Sequence, residues 1–256
     1  MTTPDFKLFS LPNILTSMNI VCGTIAVIIS LSMPERMAYS ALFILIGSVF
    51  DFLDGMLARL TKSFSSIGKD LDSLADMITF GLAPGMIVFQ LLASTFSISN
   101  PDFSLDKINF LQALVLCTAF IVPVFSALRL AKFNIDTRQS ESFIGLATPA
   151  NALLISSLPV ALAFNPEIKW LSSLILNFYL LIPLVVVLSL LLISEIPMFS
   201  LKFKNLRVRD NKIRYIFIGL LIVLLITLKT IAFPLIICVY ILLSVLNNVF
   251  INKKAA

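Results

Sequence analysis

The sequence predicts an all-α, polytopic transmembrane helical bundle with about eight spans and both termini in the cytoplasm. Three observations predict this fold class. Hydrophobic residues make up 59% of the 256 residues and charged residues only 13%, against about 45–50% and about 25% in soluble domains. The mean hydropathy is +1.01. The apolar residues also fall into long runs, and about 20 such residues suffice for a helix to cross a bilayer.

The apolar runs define the predicted spans and the domain organisation. They lie at about 12–33, 36–60, 72–97, 108–133, 146–165, 170–195, 213–230 and 231–251. Only the region around Lys229 separates the last two, so we expect a tight hairpin there. We interpret 1–256 as a single integral membrane domain. Its core covers about 1–195, and a basic loop with two further helices covers 196–256.

The distribution of Lys and Arg predicts the orientation of these spans. With eight spans, 15 of the 19 basic residues fall on the side of the termini. These are Lys7, Arg59, Lys62, Lys69, Arg129, Lys132, Arg138, Lys202, Lys204, Arg207, Arg209, Lys212, Arg214, Lys253 and Lys254. The other side holds Arg36, Lys107, Lys169 and Lys229. Because basic residues accumulate in cytoplasmic loops, we expect both termini on the cytoplasmic face of the inner, or cell, membrane.

Composition also excludes several kinds of function. The chain contains no histidine, which excludes a Ser-His-Asp triad and a His-ligated zinc. The net charge of +5 is typical of membrane topology rather than of a nucleic-acid partner. Segment 202–214 carries six basic residues and Asp210. It is either a cytoplasmic loop held by anionic lipid or a basic rim that gathers an anionic lipid substrate.

Acidic residues are concentrated at one place in the chain. Five of the 14 acidic residues lie between positions 51 and 76. Asp51 and Asp54 lie near the end of the second predicted helix, and Asp72 and Asp76 lie at the start of the third. Residues three or four apart share a helix face, so each pair projects together. The short connection makes the two helices antiparallel neighbours, and the pairs therefore face one another at one membrane depth.

Two facing carboxylate pairs predict a metal site. Like charges that close cannot all stay ionised without cations. Oxygen-only ligands suit the hard ions Mg²⁺, Mn²⁺ or Ca²⁺, and four carboxylates could hold two ions side by side, as in many phosphoryl-transfer sites. The alternative is that the acids are solvated charges or salt-bridge partners of Arg59, Lys62 and Lys69.

Small residues accompany the acids. Gly55 follows Asp54 within a helix, where glycine costs about 1 kcal/mol relative to alanine, and Gly68 precedes the second acidic pair. Glycine lets a flat or bulky ligand approach the backbone. Ala58 keeps the same face shallow, and Arg59 offers a planar fork for a phosphate or a carboxylate. The alternative is that the glycines are helix-packing contacts.

Segment 51–76 resembles the signature D-x2-D-G-x2-A-R-x8-G-x3-D-x3-D of the CDP-alcohol phosphatidyltransferases at every fixed position. The matching residues are Asp51, Asp54, Gly55, Ala58, Arg59, Gly68, Asp72 and Asp76. Flanking segments are similar to those of the serine-using members of this family from bacteria and archaea; they are 11–23, 127–135, 145–151 and 194–204. Relatives that use glycerol phosphate tend to carry arginine where this chain has Asn19.

The resemblance implies an enzyme with a transmembrane helical core, usually a homodimer, and an active site at the cytoplasmic membrane face. Its substrates would be CDP-diacylglycerol and L-serine, and its products phosphatidylserine and CMP. The resemblance implies two divalent ions, Mg²⁺ or Mn²⁺, held by Asp51, Asp54 and Asp72. Asp76 would be a partial ligand and the general base.

The resemblance also assigns the nucleotide pocket. Gly55, Ala58 and Gly68 would line the CDP-binding pocket, with Arg59 at its edge. Two pairs of interpretations stay open outside the motif, and they concern Asn13, Thr16, Arg129, Lys132 and Asn134. Asn13 and Thr16 either cap the first helix or pack within the bundle, or they bind the nucleotide. The other three residues, Arg129, Lys132 and Asn134, either complement a helix dipole or bind the serine carboxylate or the lipid phosphate.

Two alternatives for function remain at this stage. The first keeps the same chemistry but uses another acceptor alcohol, such as glycerol 3-phosphate or inositol phosphate, which would need an additional cationic pocket. The second is a divalent-cation transporter that uses the acids as its pathway. Against a transporter, the acids cluster at one end of two helices, and the sequence shows no inverted repeat.

Overall fold

The computed structural model describes residues 9–62, 66–100, 102–136, 143–199, 201, 205 and 207–255. Within these ranges the chain forms the helices α1 (Leu11–Ser32), α2 (Met37–Leu60), α3 (Ser66–Asp76), α4 (Ala83–Ser99), α5 (Phe110–Cys117), α6 (Ile121–Ile135), α7 (Thr148–Phe164), α8 (Lys169–Ile175), α9 (Phe178–Ile193), α10 (Lys212–Leu228) and α11 (Ala232–Ala255). Strands β1 (Phe143–Ile144) and β2 (Pro197–Met198) form a short antiparallel pair. The basic residues Lys7, Arg138, Lys202 and Lys204 lie outside the described residues.

The helices have the length and hydropathy of membrane spans. Five stretches are long and apolar enough to cross a bilayer, and the bent pair α8–α9 makes a possible sixth. The five are Leu11–Ser32, Pro34–Leu60, Ile67–Ser99, Phe110–Ile135 and Lys212–Asn248. The all-α fold class is thereby confirmed, and by length and composition its apolar helices are consistent with a membrane helical protein. The count of eight spans, and the side on which the termini lie, stay predictions.

Two of the predicted spans, 72–97 and 170–195, contain an interruption. The span over 170–195 is broken, because α8 ends at Ile175 and α9 starts anew at Phe178 with a bend of 56°. The side chain of Asn177 accepts a hydrogen bond from the backbone N–H of Tyr179 and so caps the second piece. The predicted span is thus made of two helical pieces, since a capping asparagine starts a new helix.

The stretch over 212–248 folds back on itself. Lys229 adopts a positive φ of 49° between α10 and α11, a backbone conformation that ends a helix. The rings of Phe217 and Tyr240 consequently lie 5.9 Å apart across the two helices. The chain therefore reverses at Lys229, as the sequence predicts.

The third predicted span contains an unexpected wide turn. Helix α3 begins at Ser66, earlier than predicted, and a π-helical segment over Met77–Leu82 joins it to α4. Pro84 lacks a backbone N–H and its ring crowds the carbonyl four residues earlier, so the widened turn accommodates it. Asp76 is the last residue before this segment. The wide turn therefore follows directly on one of the four motif aspartates.

Hydrogen bonds between helices bring several helix ends to one end of the bundle, which we call the acid end. Asn134 of α6 donates to Ser73 of α3 at 2.8 Å. The backbone N–H of Gly145 donates to the carbonyl of Ile196 at 2.9 Å and joins the start of α7 to the end of α9. The acid end therefore contains the start of α3 and α7 and the end of α6 and α9.

The opposite end of the bundle, which we call the far end, is closed by another interhelical bond. The amide of Asn165, directly after α7, donates to the hydroxyl of Thr230 at 2.8 Å. Thr230 lies in the turn between α10 and α11. The turn between α1 and α2, around Arg36, lies at the same end, because Arg36 and Thr230 line one cavity.

Close backbone packing fixes α1, α2 and the π-helical segment beneath the motif. A Cβ atom added at Gly47 would lie 2.8 Å from Asn19 Oδ1 and 2.8 Å from Thr79 Cγ2. The hydroxyl of Thr79 also donates to the backbone carbonyl of Asn19 at 3.0 Å. Only glycine allows this approach. The three segments are therefore held in one register, which sets the relative height of the two aspartate pairs.

Candidate active site

Three carboxylates from α2 and α3 converge at the acid end. One oxygen from each of Asp51, Asp72 and Asp76 lies within 4.8 Å of the others. The chain reverses between Leu60 and Ser66, so the end of α2 faces the start of α3. The prediction that the two aspartate pairs face one another is thereby confirmed for these three residues, which we call the aspartate cluster.

Asp54 lies beside the aspartate cluster, but its carboxylate is hydrogen-bonded to a residue of α1. It is 5% exposed, and its Oδ2 accepts a hydrogen bond of 2.5 Å from the hydroxyl of Thr16 on α1. Such short bonds are typical of a hydroxyl that donates to a carboxylate. The group of oxygens close enough to share one ion therefore contains three aspartates of the motif, with the fourth tied to α1.

The contacts of helix α1 exclude a capping role for Thr16. Helix α1 is capped by Ser10, whose side chain accepts from the backbone N–H of Asn13 at 3.4 Å. Thr16 is therefore not a cap. The side chains of Asn13 and Thr16 are both buried on the same face of α1, and that face meets α2 at Asp54.

The aspartate cluster suits a divalent cation. Within the described part of the chain, Asp72 Oδ1 and Asp76 Oδ1 are buried without a hydrogen-bond partner. Buried polar oxygens in native proteins are almost always paired, and clustered carboxylates need compensating charge. A hard cation with oxygen ligands supplies both. The residues present thus fit a divalent metal ion.

Salt bridges to nearby lysines and arginines do not compensate the cluster. Across the residues that the structure describes, no ion pair joins a motif aspartate to Arg59, Lys62 or Lys69. The ammonium of Lys69 instead donates to the backbone carbonyl of Asn134 at 2.9 Å. The alternative in which these aspartates are salt-bridge partners of the three cations is therefore wrong for the described chain.

Arg129 is a buried cation near the aspartate cluster. It is 6% exposed, and it lies near enough to Asp76 for the two opposite charges to attract each other. Its guanidinium carbon lies 4.9 Å from the ring centroid of Phe133, one turn further along α6. Its Nε has no hydrogen-bond partner in the described ranges. A buried guanidinium with an unused donor is suited to bind an anionic group.

Lys132 and Asn134 have partners of their own. Lys132 forms an ion pair with Glu195 and donates to the carbonyl of Ile193 at 3.3 Å, which ties α6 to the end of α9. Asn134 donates to Ser73 of α3. The structure therefore gives both residues contacts that hold the end of α6 in place.

Gly55 and Ala58 of the motif lie on one face of α2, and Gly68 lies in the first turn of α3. A Cβ atom added at Gly55 would meet nothing within 4 Å. Ala58 and Gly68 are half-buried, and Arg59 is exposed. Among the described residues Gly55 therefore packs against no other helix, and this face of α2 has room for a ligand.

Some buried polar residues were not predicted as part of a site. Asn19, Thr148 and Asn151 are fully buried, and their side-chain polar atoms have no partner among the described residues. Asn19 follows Thr16 by one helical turn, and Asn151 follows Thr148 by one turn. Polar residues at this spacing in apolar helices were the signal that could have identified them.

An apolar helical bundle with a carboxylate cluster at one end is the arrangement expected of a metal-dependent membrane enzyme. The comparison with known families agrees with this interpretation. The family model described as CDP-alcohol phosphatidyltransferase matches residues 9–191. The chain therefore belongs to the CDP-alcohol phosphatidyltransferase family. The matched range contains the acidic motif over 51–76.

Similar proteins within the family share about a third of the aligned residues. A CDP-diacylglycerol–serine O-phosphatidyltransferase of Bacillus subtilis is 32% identical over 156 residues, which cover 61% of this chain and 77% of the relative. One of Helicobacter pylori is 32% identical over 59% of this chain and 58% of its own length. An archaetidylserine synthase of Methanothermobacter thermautotrophicus is 31% identical over 58% of this chain and 57% of its own length.

Proposed function

We propose that the chain transfers the phosphatidyl group of CDP-diacylglycerol to L-serine, giving phosphatidylserine and CMP. The observation that carries this proposal is the aspartate cluster, whose three carboxylate oxygens lie within 4.8 Å of one another at the end of apolar helices. The names of the relatives from Bacillus and Helicobacter support serine as the acceptor. Family membership also argues against a cation transporter.

The proposed reaction replaces a phosphoanhydride bond at phosphorus with a phosphoester bond. The serine hydroxyl oxygen bonds to the phosphorus that carries diacylglycerol. The bond from this phosphorus to the oxygen shared with CMP breaks, and CMP leaves with that oxygen. We assign to the Asp76 carboxylate the role of accepting the hydroxyl proton, because it belongs to the aspartate cluster and a positioned carboxylate can act as general base.

We assign the metal ligands to Asp51, Asp54, Asp72 and Asp76, and we propose two ions, Mg²⁺ or Mn²⁺. When bound, such ions offset the negative charge of a pyrophosphate and of the leaving phosphate. The hydrogen bond from Thr16 orients the carboxylate of Asp54 and so prepares the fourth ligand. The chain thus supplies a rigid set of hard oxygen donors.

We place the CDP moiety along the open face of α2. Gly55 has no neighbour where a side chain would begin, so the nucleotide can approach the backbone there. Ala58 and Gly68 keep the pocket shallow, and Arg59 is exposed at its edge to meet a phosphate. Asn13 is buried on the neighbouring face of α1, where an amide could bind the cytosine.

We propose that the acid end faces the cytoplasm in a cell membrane. Arg59, Lys62, Lys69, Arg129 and Lys132 are near this end, whereas Arg36 and Lys229 are near the far end. Basic residues accumulate on the cytoplasmic side. A pyrophosphate lipid presents its charged group at the membrane surface and its acyl chains to the bilayer, which matches a carboxylate cluster at the end of apolar helices. We further propose that residues 1–256 act as one domain and as a homodimer.

We propose that Arg129 binds the carboxylate of serine. It is the buried cation that acts on Asp76, and the contacts of Lys132 and Asn134 hold the end of its helix. Lys132 and Asn134 therefore position the acceptor pocket and do not themselves contact serine.

Replacing Arg129 with lysine should raise the KM for serine by about tenfold to a hundredfold while the KM for CDP-diacylglycerol changes little. A guanidinium binds a carboxylate through two parallel hydrogen bonds, which an ammonium cannot do. Initial rates of CMP release at varied serine and varied CDP-lipid measure both constants. Loss of affinity for the CDP-lipid alone would assign Arg129 to the lipid phosphate instead.

The proposed reaction can be tested with a panel of acceptors. The purified full chain is incubated with CDP-diacylglycerol, a divalent ion and one alcohol at a time: L-serine, glycerol 3-phosphate or inositol phosphate. We expect CMP release with serine. Release with glycerol 3-phosphate but not with serine would refute the choice of acceptor and leave the family chemistry standing.

A further inference from the structure

A second cavity lies away from the aspartate cluster, between α2, α7 and α11. Its volume is about 750 Å³, within the about 300–1,000 Å³ that is typical of ligand pockets. Its walls are mostly apolar and include Leu42, Leu45, Leu153, Val160, Phe233 and Ile237. Arg36 and Thr230 also line it, so the cavity reaches the far end of the bundle.

The position of the cavity separates it from the site described above. Leu45 precedes Asp51 by six positions on α2, which is about 9 Å along a helix axis, and Arg36 lies about 22 Å from Asp51 by the same measure. The third wall belongs to α11, which follows the family-matched residues 9–191. The cavity is therefore built in the far half of the bundle by helices of the family core and by the C-terminal hairpin.

The apolar walls of the cavity and the position of its opening favour a lipid acyl chain as the occupant. Leu42 and Leu45 are half-exposed at its surface. Because α2 is an apolar helix long enough to span a bilayer, the molecules that reach this opening are membrane lipids.

Charged groups mark the far end of the cavity, and two of the three are cationic. Arg36 and Glu35 line it, and Lys229 is exposed next to the lining residue Thr230. Arg36 lies 4.0 Å from Glu35, and both side chains are more than half exposed, so this pair is weak and leaves the guanidinium available. The hydrogen bond from Asn165 to Thr230 holds the turn against α7. An anionic phosphate at the membrane surface would thus meet positive charge where the apolar cavity begins.

We propose that this cavity binds one acyl chain of an anionic phospholipid from the leaflet at the far end, with the lipid phosphate at Arg36 and Lys229. The site is distinct from the proposed active site and does not depend on the proposed reaction. It fills the space that the C-terminal hairpin leaves against α2 and α7, and a bound lipid joins these three helices.

Native mass spectrometry of the purified full chain tests this proposal, with added phosphatidylglycerol or phosphatidylcholine of the same acyl chains. Val160→Trp places a large ring in the cavity, and Arg36→Gln removes the cation. Val187→Trp is the matched control, because Val187 is exposed on α9 and does not line the cavity. Size-exclusion and thermal unfolding profiles verify that each variant is folded.

We expect wild type and Val187→Trp to retain one phosphatidylglycerol, and Val160→Trp to bind it about tenfold more weakly, a change of one decade in Kd. Arg36→Gln should lose the preference for phosphatidylglycerol over phosphatidylcholine. Equal lipid binding by Val160→Trp and Val187→Trp in folded protein would overturn the proposal. A crosslink from the cavity to a second copy of the chain, in place of bound lipid, would also overturn it.

Discussion

Replacing Asp76 with asparagine should lower the rate of CMP release by about 10²–10⁴-fold, the usual cost of losing a general base. The amide keeps the shape of the side chain but cannot take up the proton of the serine hydroxyl. Asp76 belongs to the aspartate cluster and precedes the π-helical segment directly. The measurement is the rate of CMP release at saturating CDP-diacylglycerol, serine and divalent ion.

Asp70→Asn is the matched control for this variant. Asp70 lies on the same helix, six positions before Asp76, but is exposed and outside the aspartate cluster. We expect it to keep the wild-type rate. If folded Asp76→Asn protein turned over within tenfold of wild type at saturating metal, another group would have to accept the proton.

Removal of divalent ions should abolish turnover, and Mg²⁺ or Mn²⁺ should restore it. The aspartate cluster offers hard oxygen ligands alone, which bind such ions through charge and close approach. Asp51→Ala, Asp54→Ala and Asp72→Ala should each reduce activity to the background. Raising the ion concentration should partly rescue at least one of them, because loss of a single ligand weakens an ion site without removing it.

Metal binding can also be measured without turnover. The electron paramagnetic resonance signal of Mn²⁺, titrated against wild-type protein, reports the bound ion directly. We expect Asp51→Ala to weaken this binding and Asp70→Ala to leave it unchanged. Full activity in excess EDTA, or equal Mn²⁺ binding by Asp51→Ala and wild type, would defeat the metal assignment.

The aspartate cluster could be predicted from the sequence because its geometry is mostly local. The spacing of Asp51 and Asp54, and of Asp72 and Asp76, sets each pair on one helix face. The short connection then makes the pairs meet. The bond between Thr16 and Asp54 could not be predicted in the same way, since it joins residues 38 positions apart. It depends on how closely α1 packs against α2.

The breaks within the apolar stretches were harder to predict, although each has a local signal. Asn177 caps a new helix after α8, and Pro84 follows the wide turn after Asp76. Both residues lie in runs whose hydrophobicity is continuous, and hydropathy alone does not reveal a change of direction. The ion pair of Lys132 with Glu195 was missed for a different reason. It depends on where α9 ends relative to α6.

A competition between acceptors tests the proposed function most directly. Purified protein receives CDP-diacylglycerol and Mn²⁺ with equal concentrations of L-serine and glycerol 3-phosphate, and the lipid products and CMP are quantified together by mass spectrometry. We predict that phosphatidylserine forms in equal amount to CMP, and that Asp76→Asn forms neither above background. A lipid product that carries glycerol phosphate in place of serine, or CMP released without any new lipid, would contradict the proposed function.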